Sequence, residues 1–412
     1  MTTRLSETET AALGSPWHIA PYRRIWFGTV ILALAVQFER LAIGWLVLIE
    51  TDSVFLTAAA FAIQKAPASL VAPIAGDITD RVSRSRILAV TAFCRAMVAI
   101  SLAALTSGGI HHLWMVFALV ALSGIGQTFS IPATQGLITD IVPRRMAMRA
   151  VALQSTGARG VGALGSLLGG LAISAFGVPS ALITGALVFL LGSCAMATMP
   201  KFGPARTESG AIKPGIVKDA ATGLVSLMRL PTVRTLLSIA FVVEMFAFAY
   251  HAVMPSVARD VLNVAADGLG MLTLMAGIGA VIGVATLATV GETSRKGLLL
   301  IGITITFGFM LTTFASSSVL PLSLVLVMGV GAMAAVFDAL QWTLLQQCVP
   351  DTMRGLVIGG WMFVISFGWI GHLAMGAVAQ AVGVQWALGG AGCLVILTGA
   401  LAYAFSPRLR AA

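Results

Sequence analysis

The chain has 412 residues, 58% hydrophobic and only 10% charged, which is more apolar side chain than one water-soluble core of this length can hide. That balance excludes a soluble globular protein and predicts an integral membrane protein whose surroundings are the lipid bilayer. The net charge of +9 calls for no nucleic-acid partner, because the basic residues fall in short segments between apolar runs, where they set topology.

Residues 1–24 are polar, lack an early apolar core and read as a cytoplasmic tail, not a cleaved signal peptide. A spanning helix needs roughly 20 apolar residues, and runs of that kind cover 25–49, 56–75, 87–108, 113–138, 150–174 and 178–199. Together they predict an N-terminal bundle over 25–199. The longest polar stretch, 200–233, is a cytoplasmic linker whose later part suits an amphipathic surface helix. Further apolar runs at 234–257, 268–290, 297–316, 319–346, 355–380 and 384–405 predict a C-terminal bundle over 234–405, followed by a short tail, 406–412. The expected fold class is therefore an all-α membrane protein with twelve transmembrane helices in two six-helix bundles.

Lys and Arg crowd one side of this arrangement: Arg23, Arg24, Arg81, Arg84, Arg86, Arg144, Arg145, Arg149, the linker, Arg295, Lys296, Arg354, Arg408 and Arg410. Opposite them only Arg259 stands in a loop, so both termini are expected on the cytoplasmic face of an inner (plasma) membrane. The 44 glycines fit close helix packing in lipid, where small residues let backbones approach. Cys94, Cys194, Cys348 and Cys393 are widely spaced and read as buried thiols, not a disulfide framework or a metal site.

An internal repeat supports two related halves. "SGIGQTFSIPATQGLITDIVP" (123–143) and "VGAMAAVFDALQWTLLQQCVP" (330–350) superpose without gaps, matching Gly124 with Gly331, Leu137 with Leu344 and Val142-Pro143 with Val349-Pro350. The same register puts Gly169 on Gly376. Two such bundles with a site between them near the midplane form a transporter plan.

Between the second and third runs lies "GDITDRVSRSR", Gly76 to Arg86. Gly76 is expected to let the chain leave a helix, and the arginines to hold the loop on the cytoplasmic face. Those roles leave Asp80 unexplained. Gly-x-x-x-Asp-Arg-x-x-Arg at this place resembles the cytoplasmic loop signature of the major facilitator superfamily, with Ser83 where a glycine is usual. The resemblance implies that Asp80, Arg81 and Arg84 contact the other bundle and favour the outward-open state. "GWLVLIETDSVFL", "MPSVARDVLNVAADGLGML" and "LLQQCVPDTMRGLVIG" look like the branch holding the enterobactin exporter, macrolide efflux proteins and related drug:proton antiporters. "RGVGALGSLLGG" is similar to that group's antiporter motif in the fifth span, with Gly165, Gly169 and Gly170 present and Ser166 where the proline belongs. Gly165 and Gly169 also read independently as a close helix contact.

Three acids lie deep in predicted spans: Glu39, Glu244 and Asp338, on the order of 12 to 21 Å from their cytoplasmic helix ends at about 1.5 Å per residue. An ionised side chain there costs at least ~2.5 kcal/mol, so each needs a partner, a water-filled cavity or a proton. A carboxyl partly removed from water favours its neutral form, which makes all three proton-coupling candidates. Asp338 leads, because its repeat counterpart is apolar Ile131. The opposing view is that each is a satisfied ion pair with Arg40, Lys65, Arg95 or Arg159; Arg95 is expected to tether helices, and Arg159 to pair with an acid across the bundle. Glu39 and Arg40 are adjacent and point about 100° apart, so they need separate partners. The resemblance implies that spans one, four, seven and ten line the cavity, which brings Gln37, Arg40, Gln127, Thr128, Gln135, Phe246, Tyr250, His251, Gln341 and Trp342 into view as a mixed chamber or as core packing.

The expected function is a secondary transporter exporting a small amphipathic organic molecule, a siderophore or drug-like compound, by proton-coupled antiport and alternating access. The alternatives are a lipid or lysolipid translocator and a transporter-like sensor. No HExxH, GxSxG or phosphate-loop pattern supports an enzyme or an ATP-driven pump. His251 and His372 stand apart from any Cys or carboxylate cluster, so neither a metal nor a cofactor is expected, and the molecule is expected to act as a monomer.

Overall fold

The computed structural model describes residues 15–108, 112–199, 227–290, 295–350 and 353–411. Twelve of its helices are long and apolar enough to cross a membrane. In chain order they are α1 (Ala20–Thr51), α2 (Val54–Val71), α3 (Arg84–Ser107), α4 (Leu113–Ile141), α5 (Arg145–Phe176) and α6 (Val178–Ala197). The second set is α7 (Pro231–Val261), α8 (Ala266–Thr289), α9 (Lys296–Ser316), α10 (Leu320–Gln347), α11 (Gly355–Val382) and α12 (Val384–Phe405). Most of the linker at 200–233 lies outside the described residues.

These bounds follow the apolar runs closely, with one instructive exception. Helix α1 begins at Ala20, inside the stretch expected to be tail, because aromatic side chains anchor it to α5. The Tyr22 hydroxyl donates to the Ala150 carbonyl at 2.8 Å and the Trp26 indole N–H to that of Leu153 at 3.1 Å. A hydropathy window reads such a segment as polar, whereas the fold buries its rings and satisfies their polar tips.

Packing repeats between the halves. In the first, α3 lies along α4 and α6, α1 along α5 and α6, and α2 along α4; in the second, α9 lies along α10 and α12, and α8 along α10. Gly124 meets the Gln64 carbonyl where α4 crosses α2, and Gly331 meets the Ala276 carbonyl where α10 crosses α8. A Cβ at either would run into backbone, so the matched glycines mark one crossing used twice. Gly169 and Gly376 differ: Gly169 packs on Phe38 of α1, whereas Gly376 faces Phe55 and Ala58 of α2 across the halves. Lipid-facing surfaces carry large apolar side chains such as Leu70, Phe176, Trp386 and Phe405. Cys94, Cys194 and Cys393 are exposed on the helix exteriors, correcting the expectation of buried thiols; in lipid a thiol behaves as a small apolar group and needs no burial.

Twelve crossings put the start of α1 and the end of α12 on one side, which also holds Arg81, Arg84, Arg145, Arg149, Arg295, Lys296, Arg408 and Arg410. On the far side, marked by Thr51, Phe176, Val261 and Val382, the halves are packed together. There α5 lies against α8 and α2 against α11. Gly170 abuts the Ala266 carbonyl and the Gly270 backbone, an approach no larger residue permits. Polar clasps reinforce this seal: Ser174 Oγ donates to Asp267 at 3.1 Å, and Gln380 Oε1 accepts from Ser53 Oγ and the Phe55 N–H, both at 3.2 Å. Arg259 reaches back from the end of α7 to Asp52 at 2.8 Å and to the Leu48 carbonyl at 3.1 Å. Toward the basic side contact between the halves thins, the later part of α2 touching the early part of α11 only lightly.

Candidate functional site: a charged seam between the halves

Irregular backbone converges on the middle of this seam. Helix α2 is interrupted after Lys65, where Pro67 cannot donate to the helical ladder. Helix α7 widens into a π-type turn over Val243–Ala247 that carries Glu244. Helix α11 breaks between Ser366 and Gly368. These three breaks meet: Lys65 Nζ pairs with Glu244 Oε1 across the halves, and a Cβ on Gly368 would collide with both groups. Local departures from α geometry inside spans recur at functional positions.

A second ion pair bridges α5 and α10. Arg159 lies 3.8 Å from Asp338, with side chains 47% and 35% exposed respectively. At that separation the two attract without a hydrogen bond.

The third acid has a different environment. Glu39 is fully buried inside the first half: Arg95 of α3 donates to its Oε2 through Nε at 3.1 Å and Nη2 at 2.5 Å, and the Ser123 hydroxyl of α4 donates to its Oε1. Arg95 also donates to Gln127 and stands 4.7 Å from the centre of the Phe189 ring of α6. Every polar atom of this cluster is satisfied by a neighbour, as a buried charge requires.

Arg40, one residue on, points elsewhere. Its guanidinium lies 5.6 Å from the Phe61 ring centre, and no acid stands within ion-pair distance of it among the described residues. It lines a small pocket of about 50 Å³ between the halves with Gln37, Leu41, Phe61, Ser166, His251, Met254, Pro255, Leu269 and Thr273. Gln37 donates to Ser166 Oγ at 3.1 Å, so the serine standing where the motif has proline ties α5 to α1. Tyr250 is buried and stacks on His251 with ring centres 4.0 Å apart. A larger cavity of about 220 Å³ lies within the first half, lined by Gln127, Ile131, Gln135, Gln154, Arg95 and Phe189 among others.

Other candidates fall outside these openings. Gln341 is fully buried and donates to the Leu236 carbonyl at 2.6 Å, joining α10 to α7. Thr128 bonds its own helix at Gly124 O, Phe246 packs against the main apolar core, and Trp342 meets Trp361 edge-on at 5.2 Å. Among the described residues no group of His, Cys, Asp and Glu is large enough to hold a metal ion.

The loop signature takes an unexpected form. The helix runs through Gly76 to Arg81, so this glycine does not end it; an Arg81–Asp77 pair at 2.9 Å, one turn apart, supports the continuation. Arg84 pairs with Asp140 at 2.6 Å and donates to the Gly136 carbonyl, both on α4 of its own half. These partners of Arg81 and Arg84, namely Asp77, Asp140 and Gly136, all belong to the first half. The Asp80 side chain lies outside the described residues. In the fifth span, Gly165 faces Leu34 and Gly169 faces Phe38, both on α1.

Compared with protein families, residues 11–411 match the transmembrane secretion effector family of the major facilitator superfamily. The chain belongs to that family. It is a membrane transporter with the major facilitator fold, not an enzyme. The MFS-type transporter YfiS of Bacillus subtilis (strain 168) is 24% identical over 345 residues, 81% of this chain and 80% of that one. The multidrug resistance protein MdtG of Proteus mirabilis (strain HI4320) is 29% identical over 172 residues, covering 40% of this chain and 41% of that protein. Among solved structures, a peptide transporter POT with sulfate superposes with a TM-score of 0.73 at 12% identity, covering 95% of each chain. A bacterial homologue of the human lysosomal transporter Spinster, inward-facing and unoccupied, gives 0.70 at 13% identity over 95% of this chain and 98% of that one. A nucleoside transporter NupG variant gives 0.74 at 12% identity, over 93% of this chain and 99% of that one.

Proposed function

We propose that the protein exports a small amphipathic organic molecule, drug-like or siderophore-like, by proton-coupled antiport. The carrying observation is the Arg159–Asp338 pair, which spans the two halves at a separation of 3.8 Å with both side chains partly exposed. A carboxylate so placed takes up a proton from the aqueous cavity without breaking a hydrogen bond. Neutralising it removes the attraction between α5 and α10, so proton occupancy biases how the halves meet. Glu244, held by Lys65 at the convergent helix breaks, is the second candidate; Glu39, sealed by Arg95 and Ser123, is placed to hold the first half together.

The excess of basic residues on one side supports reading that side, with both termini, as cytoplasmic. The seam is then closed outside and open inside, ready to receive cargo from the cell. The partial likeness to a multidrug resistance protein favours drug-like cargo over a siderophore. Reconstitution into vesicles with an imposed proton gradient tests this: gradient-driven movement of amphipathic probes is expected, and movement indifferent to the gradient refutes antiport.

A further inference from the structure

Four bases lie at mid-depth in the spans, and three of them have acids: Arg95 with Glu39, Lys65 with Glu244, and Arg159 with Asp338. Arg40 is the fourth, and among the described residues no acid stands within ion-pair distance of it. A lone guanidinium in a membrane core is costly, and the Phe61 ring centre 5.6 Å away offsets only part of that cost. A guanidinium presents its N–H groups in a fork that fits two oxygens of one oxyanion.

The residues lining the pocket beside Arg40 include no Asp or Glu. The pocket contains His251, Ser166 and Thr273 beside Arg40, with Leu41, Met254, Pro255 and Leu269 as its apolar wall. His372 is 4% exposed, and its Nδ1 has no hydrogen-bond partner. One turn beyond Arg40, toward the far side, Gly44 is so close to Phe61 and Pro255 that a Cβ would lie 2.7 Å from the ring and 3.1 Å from the proline. The pocket is thus stopped at its far end. Its volume of about 50 Å³ has room for a carboxylate-sized group.

We propose that this pocket receives the anionic end of the cargo, a carboxylate or an oxyanion of similar size bound by Arg40, so that the transported molecule is an amphipathic organic acid. The assignment rests on the transporter function above and narrows its substrate class. The lining comes from α1, α2 and α5 of one half and from α7 and α8 of the other, so an anion seated there touches both halves where they are closed together. Its binding energy therefore differs between the open and closed arrangements, as coupling cargo to conformation requires.

The test uses the purified full chain and probes sharing one skeleton: 2-naphthylacetate, its methyl ester, and (2-naphthylmethyl)trimethylammonium, with sodium chloride as a separate arm. Tryptophan fluorescence and thermal shift report binding to wild type, Arg40→Lys, Arg40→Gln and His251→Phe. The acid is expected to bind wild type at least about tenfold more tightly than the ester or the ammonium compound. Arg40→Gln should weaken it roughly 10- to 100-fold while leaving the ester unchanged, and Arg40→Lys should fall between. Equal binding of the three probes to wild type, or unchanged acid binding in Arg40→Gln, overturns the proposal. Stabilisation by chloride through Arg40 with no response to the acid overturns it in favour of an inorganic anion site. If Arg40→Gln does not fold, the wild-type probe series and Arg40→Lys still decide. In vesicles, gradient-driven transport of the ammonium probe that ignores Arg40→Lys refutes the acid cargo and leaves the transporter function standing. Acid binding without gradient-driven movement of any probe refutes proton-coupled export and leaves the site.

Discussion

Replacing Glu39 by glutamine should unsettle the first half more than any comparable change at Asp338. The Glu39 side chain is 0% exposed and Arg95 is 3% exposed, so the substitution strands a guanidinium that neither water nor another acid reaches. Breaking a buried pair by removing one partner costs about 3–5 kcal/mol. The amide keeps an acceptor for one Arg95 N–H but loses the charge, and it presents N–H groups where Ser123 and Arg95 both donate. Replacing both ends, Glu39→Gln with Arg95→Met, removes the stranded charge and should recover much of the loss. Thermal unfolding of purified protein checks this: a clear fall in Tm for each single variant and a smaller fall for the pair than the singles predict together. Single variants within about 1 kcal/mol of wild type, or losses that simply add, would refute the account of this cluster as a structural tether.

Asp338→Asn should abolish gradient-driven transport in vesicles while leaving probe binding and Tm near wild type, because the pair with Arg159 is long and half-exposed; normal coupled transport removes Asp338 from the mechanism. Gly331→Ala places a methyl against the Ala276 carbonyl and should cost about 1–3 kcal/mol, seen as a lowered Tm; Gly124→Ala should behave alike against Gln64. Arg259→Gln releases Asp52 and the Leu48 carbonyl at the far-side seal. At up to about 1 kcal/mol for a partly exposed pair, it should raise the far-side-open population by up to about fivefold, read as faster labelling of a cysteine placed at Phe61 by an impermeant maleimide added from that side.

Much of this molecule was legible before any coordinates. Span positions depend on local hydropathy and side chains facing lipid, which is why 384–405 and Val384–Phe405 coincide. The repeat carried Gly124 and Gly331 to equivalent crossings because a backbone approach leaves a local mark, the missing Cβ. Gly76 was less legible: glycine permits a helix end without requiring one, and the Asp77–Arg81 pair tipped the balance toward continuation. Lys65 was legible as a mid-depth base, and its place two residues before Pro67 inside an apolar run also marks the helix break.

Composition, periodicity and charge bias alone determined that this chain crosses a membrane twelve times and carries mid-depth charges that must be satisfied. Which charge meets which partner was decided only by the tertiary structure. Glu39 and Arg40 are neighbours in sequence, yet one is locked to Arg95 within a half and the other faces the seam unpaired by any acid among the described residues. The physical reason is that the need for a partner is local, set by the low dielectric around each group, whereas the partner is supplied by helices far away in sequence and chosen by how the two halves pack.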